Sequence, residues 1–299
     1  MITKADVVWA MAQVRDEFST AFAAAAAAAS FYPTIATEVP ATAPSVTYTG
    51  LGALPGMKLL RDRMEEEDLK GYKYVLKDDP YYDLIKIKAD VLEDDGTGQY
   101  LARAKDLGSV VPSFYDQKVV ELLSTGRTGV CYDGQPFYNG QHPVGVLNQP
   151  GAETTQSNLM TVPLTKDNLY AGIATMTAFV DDKGNPYGAQ PNLLVVGGGL
   201  AGVAFDLLRK DQVGDTYLSG ILTPTVSPYL GPNQWHLLDT RRRKPLILQR
   251  RTDIGVNGLE TNDNLGSKDA WFDQEWKFGI KLRAAFGFGP WQTALGSFY

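Results

Sequence analysis

The chain has 299 residues, more than a single compact core usually fills, so two lobes or one lobe with extensions is expected. With 44% hydrophobic and 21% charged residues it reads as an ordinary globular protein, neither disordered nor embedded in a membrane. Its 28 basic and 34 acidic residues give a net charge of -6, which argues against a dedicated nucleic-acid binder while leaving room for a local basic face. The single cysteine, Cys131, excludes an intrachain disulfide and a cysteine-based zinc cluster and fits a reducing compartment.

The alanine run Ala23 to Ala29 is far shorter than the ~20 apolar residues that span a bilayer, and Arg15, Asp16 and Glu17 interrupt its lead-in. Residues 5–30 therefore read as a surface or interface helix of high alanine propensity, with no export implied. Pro33, Pro40, Pro44 and Pro55 make 31–57 an extended connector with little capacity for a core. From Lys58 a charged, tyrosine-rich double strand follows. Its first half, to Lys70, carries Arg61, Asp62, Arg63 and the acidic run Glu65, Glu66, Glu67 and Asp68; in its second half Ile85, Ile87, Ala89 and Val91 alternate with Lys86, Lys88 and Asp90. A two-stranded ribbon is marginal in water, so this one needs a sheet or a neighbouring subunit, and Tyr72, Tyr74, Tyr81 and Tyr82 supply contact area.

The spacing next predicts a helix over 99–123 with the stripe Leu101, Ala104, Gly108, Val111, Tyr115, Val119 and Leu122, bent at Pro112. Residues 125–163 are rich in glycine, proline and asparagine, so Tyr132 to Val144 reads as a turn-rich hairpin or surface loop. Thr165 is placed to cap a helix whose inward stripe is Leu169, Ile173, Met176 and Val180, ended at Asp182, Lys183 and Gly184. Asn192 to Val196 reads as a buried strand and Leu200 to Leu208 as a helix; short strands follow at Gln234 to Leu238 and Pro245 to Gln249. Trp276, Phe278, Ile280 and Leu282 alternate with Lys277, Gly279, Lys281 and Arg283 in the clearest strand of all.

Three groups of residues invite a chemical reading. Gly197, Gly199 and Gly202 form G-x-G-x-x-G between a predicted strand and helix, the context of a dinucleotide fingerprint. Repeated β-α units are missing around it, and Asp215, the acidic residue near the usual distance, sits in a turn; glycines that let a helix pack closely on a strand explain the same letters. Cys131, Asp133 and His142 share one loop, but nothing in the sequence orients them, and a turn at His142-Pro143 with Cys131 packed as a small hydrophobe accounts for them. With His142 and His236 the only histidines, no metal-ligand spacing is evident, and Ser113, Ser219 and Ser227 lie in no nucleophile-elbow pattern. Arg241, Arg242, Arg243 and Lys244, with Arg250 and Arg251, make one concentrated basic patch, for which the acidic run Glu65 to Asp68 of another subunit is the expected partner.

Arg61 to Val91, Val130 to Tyr138 with Gln141-His142-Pro143, Leu193 to Val196, Trp235 to Thr240, Lys244 to Gln249, and Phe278 to Ile280 through Gly289-Pro290-Trp291-Gln292 together resemble, in the same order, the Mu-like phage major head subunit family. The resemblance thins out in the first fifty residues, and Gly197 to Gly199 stand where the family tends towards a proline-containing turn. It implies an α+β, Hong Kong 97-like tailed-phage major capsid fold with an N-terminal helix and arm (1–57), an extended β-hairpin loop (58–94), a peripheral domain with a long spine helix (95–163), an axial domain (164–264) and a return strand of the peripheral domain (265–299). The function implied is self-assembly, as hexamers and pentamers, into an icosahedral shell around double-stranded DNA held non-specifically. Scaffold, protease and portal would be assembly partners, the virion capsid the location and the bacterial host cytoplasm the place of assembly, with no membrane, catalytic residue, cofactor or metal. A dinucleotide-binding oxidoreductase built on Gly197, Gly199 and Gly202, and a tail or tube protein, are the competing readings.

Overall fold

Residues 275–288 organise one of the two five-stranded sheets, because a fourteen-residue strand with a strict period of two presents one apolar face along its whole length. The computed structural model describes residues 4–27, 31–49, 51, 73–88, 99–144, 154–181, 184–208, 220–252, 259–262 and 275–299. The strands are β1 (Ala36–Ala41), β2 (Ser45–Tyr48), β3 (Tyr74–Lys77), β4 (Asp79–Lys88), β5 (His142–Val144), β6 (Thr154–Gln156), β7 (Leu159–Met160), β8 (Leu193–Gly197), β9 (Thr223–Ser227), β10 (Gln234–Leu238), β11 (Leu246–Arg251), β12 (Leu259–Asn262), β13 (Glu275–Phe288) and β14 (Ala294–Phe298). The helices are α1 (Lys4–Ala27), α2 (Tyr32–Ile35), α3 (Gln99–Thr125), α4 (Lys166–Thr177) and α5 (Ala201–Leu207), with short 3-10 turns at Gly198–Leu200 and Trp291–Thr293.

The first sheet runs β1-β11-β13-β12, with β4 also paired to β13. Phe278, Ile280, Ala284 and Phe288 are buried on its inner face. Helix α3 crosses that face, where Phe114 and Tyr115 meet Phe286 and Tyr81 in an aromatic cluster with ring centroids 4.8–6.4 Å apart. Helix α1 packs on α3 where Gly108 lets the Phe18 carbonyl approach, and Val14, Phe18 and Ala21 are buried there. The short ribbon β2–β3 lies over part of the outer face: Leu76 sits on Gly287, Tyr48 Oη donates to Gln249 Oε1 at 3.2 Å, and Tyr74 Oη accepts from the Phe288 N–H at 3.2 Å. The second sheet runs β7-β14-β10-β8-β9, fully buried along β8, with α4 seated through Gly172 against Leu237.

Several expectations change. The connector at 31–57 contains β1, parallel to β11, and Ile35, Ala36 and Ala41 are buried; Pro40 is tolerated because, among the described residues, no strand pairs with the other side of β1. The second half of the extended loop finds its neighbour within its own chain, since β4 pairs antiparallel with β13 from Lys88↔Glu275 to Asp79↔Ala284. Tyr74 and Tyr81 are likewise engaged within the chain, whereas Tyr82 is 83% exposed. The loop's first half, Lys58 to Lys70, and Tyr72 lie outside the described residues.

The spine helix ends its buried stripe on Leu123, with Leu122 half-buried, because 3.6 residues per turn carries the stripe one position on from the predicted spacing. Tyr132 to Val144 is no surface loop: Cys131, Tyr132, Phe137, Tyr138, His142 and Val144 are all buried beneath residues 288–298, and His142-Pro143 begins β5 instead of forming a turn. Thr165 caps α4 as expected, its Oγ1 accepting from the Asn168 N–H at 3.3 Å, but the helix stops at Thr177 and Val180 pairs with Pro186 in a bridge beyond it. Within 265–299 the return strand β13 is followed by a second strand, β14, which leaves the first sheet and pairs with β10 and β7 in the other.

Candidate functional site

The glycine turn after β8 is filled by the chain itself. A Cβ at Gly197 would run into the Gly231 carbonyl oxygen, and one at Gly199 would lie 2.9 Å from the Pro232 carbonyl oxygen, while at Gly202 nothing stands within 4 Å. Gly197 and Gly199 are small because the turn at 230–232 crosses directly over them, and backbone occupies the space where a phosphate would approach. The glycines are structural.

Cys131, Asp133 and His142 are near one another in sequence, but only two of them pair. His142 Nδ1 lies 2.6 Å from Asp133 Oδ2, with side-chain exposures of 0% and 2%, so the structure supplies the orientation that the sequence does not show. His142 Nε2 faces the Phe137 carbonyl at 3.3 Å and Asn158 Oδ1 at 3.2 Å, and the ring stacks on Trp291 at 4.2 Å. Asn158 Nδ2 donates to the carbonyls of Phe137 (2.8 Å), Trp291 (3.4 Å) and Ala294 (3.2 Å), which ties the loop to the crossing between the sheets. Cys131 instead donates its S–H to the Gly289 carbonyl at 3.4 Å, and burial, followed by the charge of Asp133, pushes its thiol pKa well up. A neutral thiol and an imidazole this deeply buried account for packing, Cys131 against Gly289 and His142 against Trp291. Among the described residues no three His, Cys, Asp or Glu side chains are grouped to hold a metal ion, and no helix is long and apolar enough to cross a membrane.

His236, on β10, is also fully buried; its Nδ1 lies 2.9 Å from Tyr138 Oη, opposite Gly296, and burial lowers its pKa to about 3. An unfolded histidine titrates near 6.5. The folded protein therefore stays neutral here while the unfolded chain takes up a proton, and stability is complete above about pH 6.5 and falls as pH drops towards 3. This group alone should remove about 2–3 kcal/mol between pH 7 and pH 4.5. Urea midpoints at the two pH values should show a smaller acid loss in His236→Asn than in the wild type; equal losses would rule the histidine out as the cause.

The expected basic patch is largely consumed within the chain. Arg243 donates to the Leu51 carbonyl, Lys244 to the Pro33 carbonyl, Arg241 to Gln190, and Arg250 lies 3.9 Å from Glu38. Arg251 and Arg283 both close on Asp78, at 3.5 and 2.9 Å, the carboxylate being wholly buried at the step from β3 to β4. Within the chain these cations hold arm, ribbon and sheet together, which sequence distance alone concealed, while the acidic run Glu65 to Asp68 expected to meet them from another subunit lies outside the described residues.

Among the described residues, the outer face of β4 and β13 beyond the ribbon carries exposed side chains. Tyr82 and Leu84 are 83% and 52% exposed there, in line with Lys86 and Lys88, while Leu84 crosses the buried Gly279. Among the described residues β4 has no strand on its other edge. A long edge with bare aromatic and aliphatic side chains is an association surface.

The model of the Mu-like prophage major head subunit gpT family matches residues 10–163, 160–230 and 225–298. The Mu-like prophage FluMu major head subunit of Haemophilus influenzae is 34% identical over 272 residues, and the major capsid protein of Escherichia phage Mu 23% over 269. Each alignment covers 90% of this chain, which spans 66% of the length of each of these two relatives. A subunit of the procapsid of bacteriophage JBD30 superposes on 100% of the chain and 76% of its own with a TM-score of 0.65 at 23% identity. The fold is thus the α+β, Hong Kong 97-like capsid fold of tailed phages. With the family model running through almost every described element, from α1 to β14, the chain belongs to the Mu-like prophage major head subunit family.

Proposed function

We propose that this chain is a structural head subunit that self-assembles, as hexamers and pentamers, into a closed icosahedral shell around double-stranded DNA. Scaffold, protease and portal serve as transient partners, the shell forms in the bacterial host cytoplasm and ends in the virion. Binding to DNA is non-specific. No residue acts as catalyst, cofactor ligand or metal ligand; the best-formed polar centre, His142 with Asp133, is sealed in the core.

The single observation that carries this reading is the match to the head-subunit family model, in three overlapping segments that together cover residues 10–298. The surface agrees with it. Large apolar side chains stand bare at Trp9, Tyr82, Leu84, Phe205 and Ile221, and covering such groups in a neighbour contributes roughly 25 cal/mol per Å², small for one contact and large for a subunit with many neighbours. In this reading the first sheet with α1, α3 and the β2–β3 ribbon forms the peripheral domain, with 95–163 and 265–299 contributing to it, and residues 164–264 build the axial domain around the second sheet, into which β7 and β14 are lent. The segment 58–94 is the extended loop, rooted on β13 by β4, and 1–57 the helix and arm. The oxidoreductase reading has no support, since the glycine turn is occupied by residues 230–232.

Electron micrographs of the purified protein decide the matter. Closed shells of uniform diameter are expected; open cylinders would point to a tube protein, and a chain that stays monomeric at high concentration would end the proposal.

A further inference from the structure

The second sheet ends on β9, and among the described residues no strand pairs with the far side of it. An edge strand presents a row of backbone groups with which a strand of another molecule can pair. The surroundings of β9 invite such pairing. Residues 221–227, Ile-Leu-Thr-Pro-Thr-Val-Ser, carry no charge and are rich in β-branched side chains, and Ile221 and Tyr229, which flank the strand, are 45% and 39% exposed. But for its proline, that window has the composition from which chains stack into cross-strand aggregates.

Register shows what the proline does. The Thr223 N–H donates to the Asn192 carbonyl at 2.9 Å, and Leu193↔Thr223, Val195↔Thr225 and Gly197↔Ser227 continue the parallel pairing with β8. Backbone groups of alternate residues face opposite edges of a strand, so Thr223, Thr225 and Ser227 turn theirs towards β8 while Pro224 and Val226 turn theirs outward. Proline has no N–H, and its ring stands where an approaching strand would have to lie. The outer edge thus offers the Val226 amide alone, and no bond to β8 is given up. Strand β1, at the end of the first sheet, repeats the arrangement: the Ala41 carbonyl accepts from the Thr252 N–H at 3.1 Å, which by the same alternation turns the backbone of Pro40 outward. In both strands the proline occupies the outward register and the inward register holds none.

We infer that Pro224 keeps the outer edge of the second sheet closed to an extended strand from a second copy of the chain. Without it, an uncharged edge could pair with its own equivalent around a two-fold axis. The inference rests on the assembly reading above only in that copies must meet at high local concentration without joining through unintended surfaces.

Pro224→Thr is the test, because it restores the outward N–H with a residue suited to strands and leaves the bonds to β8 in place. The insoluble fraction of the concentrated protein should rise at least about fivefold over the wild type, as material that binds thioflavin T and contains no closed shells. The circular dichroism and urea midpoint of the soluble fraction should stay at wild-type values. Adding Val226→Pro moves the missing donor two residues along the same edge, and solubility should return to within about twofold of the wild type. Should Val226→Pro upset folding, Pro224→Lys is the alternative, since like charges opposite one another across the new pair should hold the chain in solution. Thr225→Pro, whose lost N–H faces β8, should instead lower the urea midpoint, and an unchanged midpoint there would refute the register. Wild-type solubility of Pro224→Thr overturns the inference. So does aggregation that neither Val226→Pro nor Pro224→Lys relieves, because the loss then lies in the fold and not in an opened edge. Solubility is measured on the unassembled chain, so a wild type that forms no shells ends the assembly reading and leaves this comparison standing.

Discussion

Gly197→Ala is expected to abolish the native fold at 25 °C, whereas Gly202→Ala, five residues on, should be neutral or slightly stabilising. At Gly197 the added methyl meets the Gly231 carbonyl oxygen and carbon and the Leu230 carbonyl oxygen, all backbone in a turn anchored by Leu230 against the core. No rotamer relieves a backbone clash, so either β8 or the turn must leave its place. Every residue of β8 is buried, and overpacking of that kind costs about 1–3 kcal/mol even where side chains absorb it. Here the loss should exceed that range and consume a large part of the total stability of an ordinary domain. Gly202 lies in the first turn of α5, exposed, with open space around it, and replacing a helical glycine by alanine typically gains about 0.5–1 kcal/mol. Soluble yield and urea midpoints of the two variants check this directly. A nucleotide cradle makes the opposite demand, since all three glycines would then be needed; equal sensitivity at 197 and 202 would restore that reading.

Asp78→Ala is the second large effect, expected to cost about 3–5 kcal/mol because it removes the buried carboxylate on which both Arg283 and Arg251 close. Arg283 Nε lies 2.9 Å and Arg251 Nη1 3.5 Å from Asp78 Oδ2, and the Asp78 side chain has no exposure. The Asp78 N–H also donates to the Pro44 carbonyl, so the residue joins the connector, the ribbon and the sheet at one point. Arg283 is a third exposed and can turn outward, which sets the lower end of the range. A discriminating control replaces all three residues with apolar ones of similar volume: a triple variant more stable than Asp78→Ala identifies the lost ion pairs, not lost packing, as the cause. Thermal unfolding of the three proteins is sufficient. If Asp78→Ala unfolds with the wild type, the cluster contributes nothing and the contacts of Leu76, Tyr74 and Tyr48 hold the ribbon.

Elements that carry their own period are legible in the amino-acid sequence. The alternation in 276–283, the apolar run at 192–196 and the capped stripe from Thr165 each form the expected strand or helix, because the burial they encode lies within the segment itself. What the sequence hides depends on partners far along the chain. Residues 36–41 hold Glu38 and Pro40 and look like linker, yet pairing with β11 more than two hundred positions away makes them a strand. The run from Cys131 to Val144 is full of turn formers and is nonetheless core, since Trp291 stacks on His142 and Phe288 on Phe137. The same holds for charge. The sign of Arg241 to Arg251 is plain in the sequence, but their acceptors at Pro33, Leu51, Glu38 and Asp78 are not.

The position of β13 and β14 also governs when the molecule can become itself. Residues 275–298 supply the strand against which β4, β11 and β12 align and the strand that completes the second sheet beside β10. Neither layer can close until this stretch has emerged from the ribosome, and pairings of such long sequence separation form slowly. A polypeptide cut short before residue 275 therefore keeps both layers unfinished, and its strands β4, β10, β11 and β12 lose the partners that align them.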